Sequence, residues 1–419
     1  GDELHMAGDI TQPVATSNRY RYVIGVMAIA AHLSVGLNLF AVSPLLPLAI
    51  EEYGINRTNA GLLVSFPMLM GAMFGLPGGI LISRIGLRRA FFFGWVSISL
   101  LALSYVTPNF WVMIVLRLLF GVGFAFLITA TGPMLMQWFR PKEMLVMNAL
   151  ITAVMSLGIA ISVASAAPLA EMTSWKASLT IFAGIGVIGT FVWVWAGRGV
   201  ARNIGNAAMV RLSDVGAVLR NRTIVLLILA DAGVFIQYAA FTGWLPTFYI
   251  EERGISLSEA GLVTGILPFV GVFAVLVGGL LPGRFVSPKT LFMASGLLVI
   301  SGGLGAFLFS DMTGIYISVI ILGIGSWIYI PTLLTLPMQM TGMTPGHVAV
   351  VWGSFLTFSG VTMFLAPILV GAVRDLSGSF FLGFAICAVF SWSLFIAGVL
   401  LPRSSATSGT GATALITQD

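Results

Sequence analysis

The chain has 419 residues, of which 58% are hydrophobic and 8% charged, with a mean hydropathy of +1.03. A soluble chain carries about 25% charged residues, so this composition excludes an ordinary water-soluble domain and points to a membrane. The formal net charge of +5 is spread over short loops without a patch, which excludes a nucleic-acid binder, and the single cysteine, Cys387, excludes an internal disulfide or a cysteine-based metal site.

Residues 1–21 form an N-terminal tail. Its first residues, GDELHM, read as a cloning remnant with Met6 as the native start, and no signal peptide precedes the first apolar run. Twelve segments long enough to cross a bilayer follow, at 22–50, 58–83, 90–107, 110–138, 143–170, 175–197, 223–250, 258–283, 290–309, 312–340, 346–372 and 379–401. The longest polar interruption, 198–222, is a linker between an N-terminal six-helix bundle, 22–197, and a C-terminal one, 223–401. The Ser/Thr/Gly-rich tail 402–419 is expected to be disordered.

The two halves are related. Glu51, Glu52, Gly54, Ile55, Ala60, Gly61, Leu62, Gly71, Gly78, Gly79, Leu81 and Arg84 each recur 200 residues later. An internally repeated membrane chain is usually a transporter with its site between the repeats. Sorting the 20 Lys and Arg puts 15 on the side of the termini, 4 on the other side and one, Arg117, within a span. By the positive-inside rule both termini are then cytoplasmic.

A charge in the bilayer costs about 2.5–3.5 kcal/mol on insertion scales, so ionisable residues inside spans are the first functional candidates. There are three: His32 in span 1, Arg117 in span 4 and Asp231 in span 7. Pro47 and Pro246 align spans 1 and 7 at a spacing of 199, which makes His32 and Asp231 repeat mates. As a pair across the pseudo-twofold axis they are candidates to share a proton, with Asp231 the coupling group; the alternative is that each is satisfied inside its own bundle. Arg117 suits a bidentate contact to an anion and equally suits a scaffold role on helix backbone.

Polar and aromatic residues nearby extend the candidate solute site: Asn38 in span 1, Gln237 and Tyr238 in span 7, Trp327 and Tyr329 in span 10, and Trp352 and Thr357 in span 11. Asp231, Tyr238 and Thr242 are spaced to share one helical face. For each aromatic the plainer reading is packing or an interfacial belt. Pro44, Pro47, Pro246, Pro331 and Pro337 are expected to bend their spans.

The loop between spans 2 and 3, Gly79-Ile80-Leu81-Ile82-Ser83-Arg84-Ile85-Gly86-Leu87-Arg88-Arg89, resembles the G-x-L-x-D-R-x-G-R-R signature of the major facilitator superfamily. Arg117-Leu118-Leu119-Phe120-Gly121-Val122-Gly123 resembles its R-x-x-x-G-x-G signature. Trp244-Leu245-Pro246-Thr247-Phe248 and Gly371–Ser379 look like stretches of its cyanate-permease and anion:cation symporter branches. The resemblance implies an all-α membrane protein, twelve transmembrane helices in two pseudo-symmetric six-helix bundles, working by alternating access. It also implies gating by Gly79, Ser83, Arg84, Gly86, Arg88 and Arg89. The signature's aspartate is Ser83 here, and the second copy at Gly283–Lys289 is degenerate. Span 5 ends in Ala166-Ala167-Pro168 without the Gly-Pro-rich signature of drug antiporters, and spans 2 and 8 lack the interior arginines of nitrate porters.

With no phosphate loop or metal-ligand cluster, an ATP-driven pump and a metalloenzyme have no residues to run on, and no cofactor is expected. The reading favoured by the residues is a secondary transporter, not an enzyme, coupling a small organic anion to protons. Its expected partners are that solute, the proton and the lipid bilayer, and it is expected to act as a monomer. With His32 neutral, Arg117 and Asp231 cancel, and one anion with one proton keeps the sum at zero. The alternatives are a carrier for an organic cation, with Asp231 as counter-ion, and a non-transporting membrane sensor.

Overall fold

The computed structural model describes residues 19–197, 215–216, 219–280, 286–340, 343 and 345–401. Residues 1–18 of the expected N-terminal tail, the expected C-terminal tail 402–419 and most of the linker lie outside them, while Tyr20 and Arg21 already belong to the first helix. Among the described residues, twelve helices are long and apolar enough to cross a membrane. In chain order they are span 1 (helix Tyr20–Leu39, a 3-10 turn Ser43–Leu45, helix Leu46–Tyr53), span 2 (Arg57–Ile85), span 3 (Leu87–Ser99, continuing as 3-10 helix to Val106), span 4 (Phe110–Trp138), span 5 (Pro141–Met172) and span 6 (Trp175–Ala196). The second half supplies span 7 (Arg222–Arg253), span 8 (Leu257–Leu280), span 9 (Pro288–Leu308), span 10 (Met312–Ile328, then Ile330–Gln339), span 11 (Pro345–Ser377) and span 12 (Phe381–Phe390, then Trp392–Leu400).

Spans 1 and 10 differ from the single helices expected for them, and proline is the reason. Pro44 offers no N–H to Phe40, so Ser43 N bonds the Phe40 carbonyl instead and the chain tightens into a 3-10 turn. Pro331 similarly marks the first turn after the break at Tyr329.

The repeated Glu-Glu-x-Gly-Ile motif has a local cause. Gly54 and Gly254 end spans 1 and 7 with φ of 60° and 67°, a left-handed cap that favours glycine. Asn56 and Ser256 then cap the following helices, accepting from Asn59 N and Glu259 N. One turn design therefore starts both spans 2 and 8.

Spans 1–6 pack among themselves, as do spans 7–12, and the two halves meet along two seams, span 2 against span 11 and span 5 against span 8. Glycines bring the backbones together there. A Cβ on Gly61 would lie 2.8 Å from the Pro367 carbonyl oxygen, and one on Gly261 would lie 2.9 Å from the Val163 carbonyl oxygen.

Candidate functional site

Arg117 is 1% exposed and wholly committed to backbone. Its Nε donates to Leu63 O at 2.6 Å, Nη1 to Asn38 O at 2.7 Å and Nη2 to Leu39 O at 2.8 Å. The acceptors explain themselves. Leu63 lies four residues before Pro67, which has no N–H to give, and Asn38 and Leu39 lie where span 1 breaks. The guanidinium thus bonds carbonyls freed by two helix interruptions and ties spans 1, 2 and 4 together. Of the two roles open to it, the structure displays the scaffold role, and its fork is not turned toward the other half.

Asp231 is also buried, at 4% exposure, and is held differently. Tyr329 donates its hydroxyl to Oδ1 at 3.0 Å and Ser359 donates to Oδ2. Both partners belong to the C-terminal half, so Asp231 ties spans 7, 10 and 11. His32 Nδ1 lies 2.9 Å from Ala28 O of its own helix. The structure therefore does not bring His32 and Asp231 together. Each finds a partner within its own half, the histidine because the carbonyl four residues back is in reach, and the expected shared proton between them has no direct path here.

The repeat mates Asn38 and Gln237 behave alike. Asn38 Nδ2 donates to Ser34 O and Phe182 O, and Gln237 Nε2 to Val299 O, while the amide oxygen of each is buried without a partner. Tyr238 and Trp327 meet edge-on, with ring centroids 5.5 Å apart, and Phe40 from the other half stands 6.1 Å from Tyr238. The Tyr238 hydroxyl lies between the Thr242 hydroxyl and Trp327 Nε1, and the three buried groups have only one another as polar neighbours. Of the remaining candidates, Tyr329 is occupied by Asp231. Thr357 donates across the halves to Ala72 O at 3.2 Å, and Trp352 stands apart, 36% exposed, donating to Leu334 O.

Among the expected gating residues, Gly86 turns the chain between spans 2 and 3 at φ 83°, which lets a single residue join the two helices. Arg88 offers its carbonyl to Trp193 Nε1, anchoring the start of span 3 to span 6, while the Arg89 side chain is exposed. Gly79 lies within the helix of span 2, and the side chains of Ser83 and Arg84 lie outside what the structure describes.

Sequence reasoning missed the opposite end of the bundle, away from the termini. Asp375 of span 11 accepts from Arg57 N at 3.2 Å, Thr58 N at 2.8 Å and Thr58 Oγ1 at 2.6 Å. An acid of one half therefore caps the first turn of a helix in the other. Arg57 also pairs with Glu251 at 2.7 Å, and Glu251 with Arg374 at 3.3 Å. Among the described residues the pseudo-twofold counterpart on the second seam is one bond, Ser258 Oγ donating to Glu171 Oε1 at 2.7 Å. Deeper along the seams two further hydroxyls cross between halves, Thr357 to Ala72 O and Ser156 to Pro268 O. Ser359 was missed too, being one hydroxyl in an apolar span. The signal available for the far-end contacts was the repeated Glu51-Glu52 and Glu251-Glu252.

A helical bundle in two related halves, joined at two seams, with its buried charges tied inside each half, defines a membrane carrier. The chain matches the Major Facilitator Superfamily over residues 28–367 and belongs to that family, whose members are transporters and not enzymes. It is 24% identical to the hexuronate transporter of Bacillus subtilis (strain 168), over 90% of this chain and 94% of that one. It is 22% identical to the nitrite extrusion protein of the same organism, over 85% and 88%. A solved bacterial homologue of the human lysosomal transporter Spinster, inward-facing and unoccupied, superposes with a TM-score of 0.71 at 17% identity, covering 91% of this chain and 94% of that one.

Proposed function

We propose that the protein moves a small organic anion across the inner membrane of a prokaryote by proton-coupled symport, with both termini cytoplasmic. The charge asymmetry of the loops supports the orientation. The relative named for hexuronate, matched almost end to end, favours a carboxylate solute. The absence of arginine inside spans 2 and 8 weighs against nitrate despite the relative named for nitrite.

The observation that carries the proton-coupled reading is the company Asp231 keeps. An acid paired with arginine is fixed in its charged form. An acid held by Tyr329 and Ser359 is held by groups that both donate and accept, so the hydroxyls can reverse when the acid takes up a proton. The seam contacts supply the gate: halves latched at the end away from the termini must part there for the solute to enter from that side. Asp231→Asn in proteoliposomes tests the coupling. Uptake driven by a proton gradient is expected to vanish while solute counterflow persists, and gradient-driven uptake at the normal rate rejects Asp231 as the coupling group.

A further inference from the structure

We propose that Arg88 and Arg89, at the start of span 3, hold the headgroup phosphate of an anionic lipid in the leaflet on the side of the termini. This site does not depend on which solute is carried.

Where span 2 passes into span 3 there is a cavity of about 90 Å3, lined by Ile85, Gly86, Arg88 and Arg89. A water needs about 10–15 Å3 of such space, so a phosphate group fits. Arg88 is half-buried and Arg89 exposed, and neither has an acid partner among the described residues. Glu143 is the one acid on this side among those residues. It is taken by Arg21 at 3.2 Å and by Arg140 N at 2.8 Å. The sequence holds no Asp or Glu from residue 53 to residue 142, and Ser83 stands where the family signature has its acid. The positive charge at this cavity is therefore left for an anion from outside the chain.

The start of span 3 adds to the arginines. Gly86 is its cap, no side chain accepts from its first N–H groups, and its first turn holds no acid. A guanidinium fork matches phosphate oxygens in a way that a lysine does not.

The surroundings favour a lipid over a soluble anion. Phe92 and Phe93 lie one turn further along span 3, below the two arginines, and are 36% and 49% exposed. Span 6 is held to this point by Trp193 Nε1, which donates to Arg88 O at 3.0 Å. It presents Phe191 and Trp195, 70% and 69% exposed. Arginines above a surface of apolar rings match a charged headgroup above its acyl chains.

The test is native mass spectrometry of the full chain released from micelles with equal amounts of phosphatidylglycerol and phosphatidylcholine. In phosphatidylcholine the choline cation cancels the phosphate charge. Unmodified protein is expected to retain phosphatidylglycerol in preference, by about fivefold for each arginine. Arg88→Gln combined with Arg89→Gln brings the two lipids to parity, whereas Arg88→Lys with Arg89→Lys keeps most of the preference. Arg140→Gln, on the same side but away from the cavity, leaves it unchanged. Equal retention of the two lipids by unmodified protein overturns the site without any variant. So does a preference that survives the double Gln variant, or that falls equally in Arg140→Gln. Inorganic phosphate is expected not to displace the lipid; displacement makes the cavity a soluble-anion site and overturns the lipid assignment.

Discussion

Among the described residues the N-terminal half buries Arg117 and the C-terminal half buries Asp231, and the two are held by different kinds of partner. Arg117 in the N-terminal half is bonded by backbone carbonyls of spans 1 and 2. Asp231 in the C-terminal half is bonded by side-chain hydroxyls of spans 10 and 11. A carbonyl only accepts, so it suits a permanent cation and fixes it. A hydroxyl both donates and accepts, so it suits an acid in either protonation state. The pseudo-symmetric bundles thus hold their buried ionisable side chains differently, one on groups that only accept and the other on groups that both donate and accept.

The largest effect that would break this contrast is on Arg117. Arg117→Ala removes three bonds and orphans three buried carbonyls, and is expected to destabilise the protein by about 3 kcal/mol or more. Arg117→Lys supplies one compact charge for three acceptors and should fall in between. Thermal unfolding in detergent measures both, and a melting temperature for Arg117→Ala equal to that of the unmodified protein removes the brace.

Asp231→Asn should cost far less stability, about 1 kcal/mol, since the amide can still bond both hydroxyls. An unfolding shift as large as that of Arg117→Ala would make Asp231 a second brace and erase the contrast.

Smaller effects sharpen the comparison at the seams. Asp375→Asn weakens two backbone N–H contacts and one hydroxyl contact at the start of span 2, a helix-cap effect of about 0.5–2 kcal/mol. Glu171→Gln weakens one hydroxyl contact on the other seam. Thiol labelling of a cysteine placed at the far end, with Cys387 replaced, is expected to rise more in Asp375→Asn than in Glu171→Gln. Equal labelling would mean that the two seams hold equally. The smallest change is expected from Thr357→Val, about 0.5–1.5 kcal/mol for one neutral bond across the halves.

The fold was legible because membranes simplify the problem. Spans follow from apolar length, and the 200-residue repeat of Gly54 and Gly254 follows from one turn geometry used twice. His32, Arg117 and Asp231 were legible as buried ionisable residues for the same reason. Their partners were not. Nothing in the sequence near Arg117 says that the carbonyl freed by Pro67 lies opposite, and Ser359 looks like any serine in an apolar helix until span 11 is packed on span 7. The repeat alignment suggested that His32 and Asp231 face each other, but equivalent positions need not have equivalent surroundings: Ala28 O lies within reach of the imidazole, while Asp231 has hydroxyls from two other spans. The contacts of Asp375 with Arg57 and Thr58 join residues more than 300 positions apart, and only the packed halves reveal them.

The order of the chain gives the two buried charges different histories during synthesis. Spans 1 and 2 precede span 4, so the carbonyls that receive Arg117 have already left the ribosome when the arginine enters the bilayer. Asp231, in span 7, precedes Tyr329 and Ser359 in spans 10 and 11 by 98 and 128 residues. At a synthesis rate of about 5–20 residues per second it waits on the order of ten seconds for its hydroxyls. During that interval the acid must stay protonated or keep water beside it. Nascent chains stalled before span 10 should therefore expose position 231 to water, and chains stalled after span 11 should hide it.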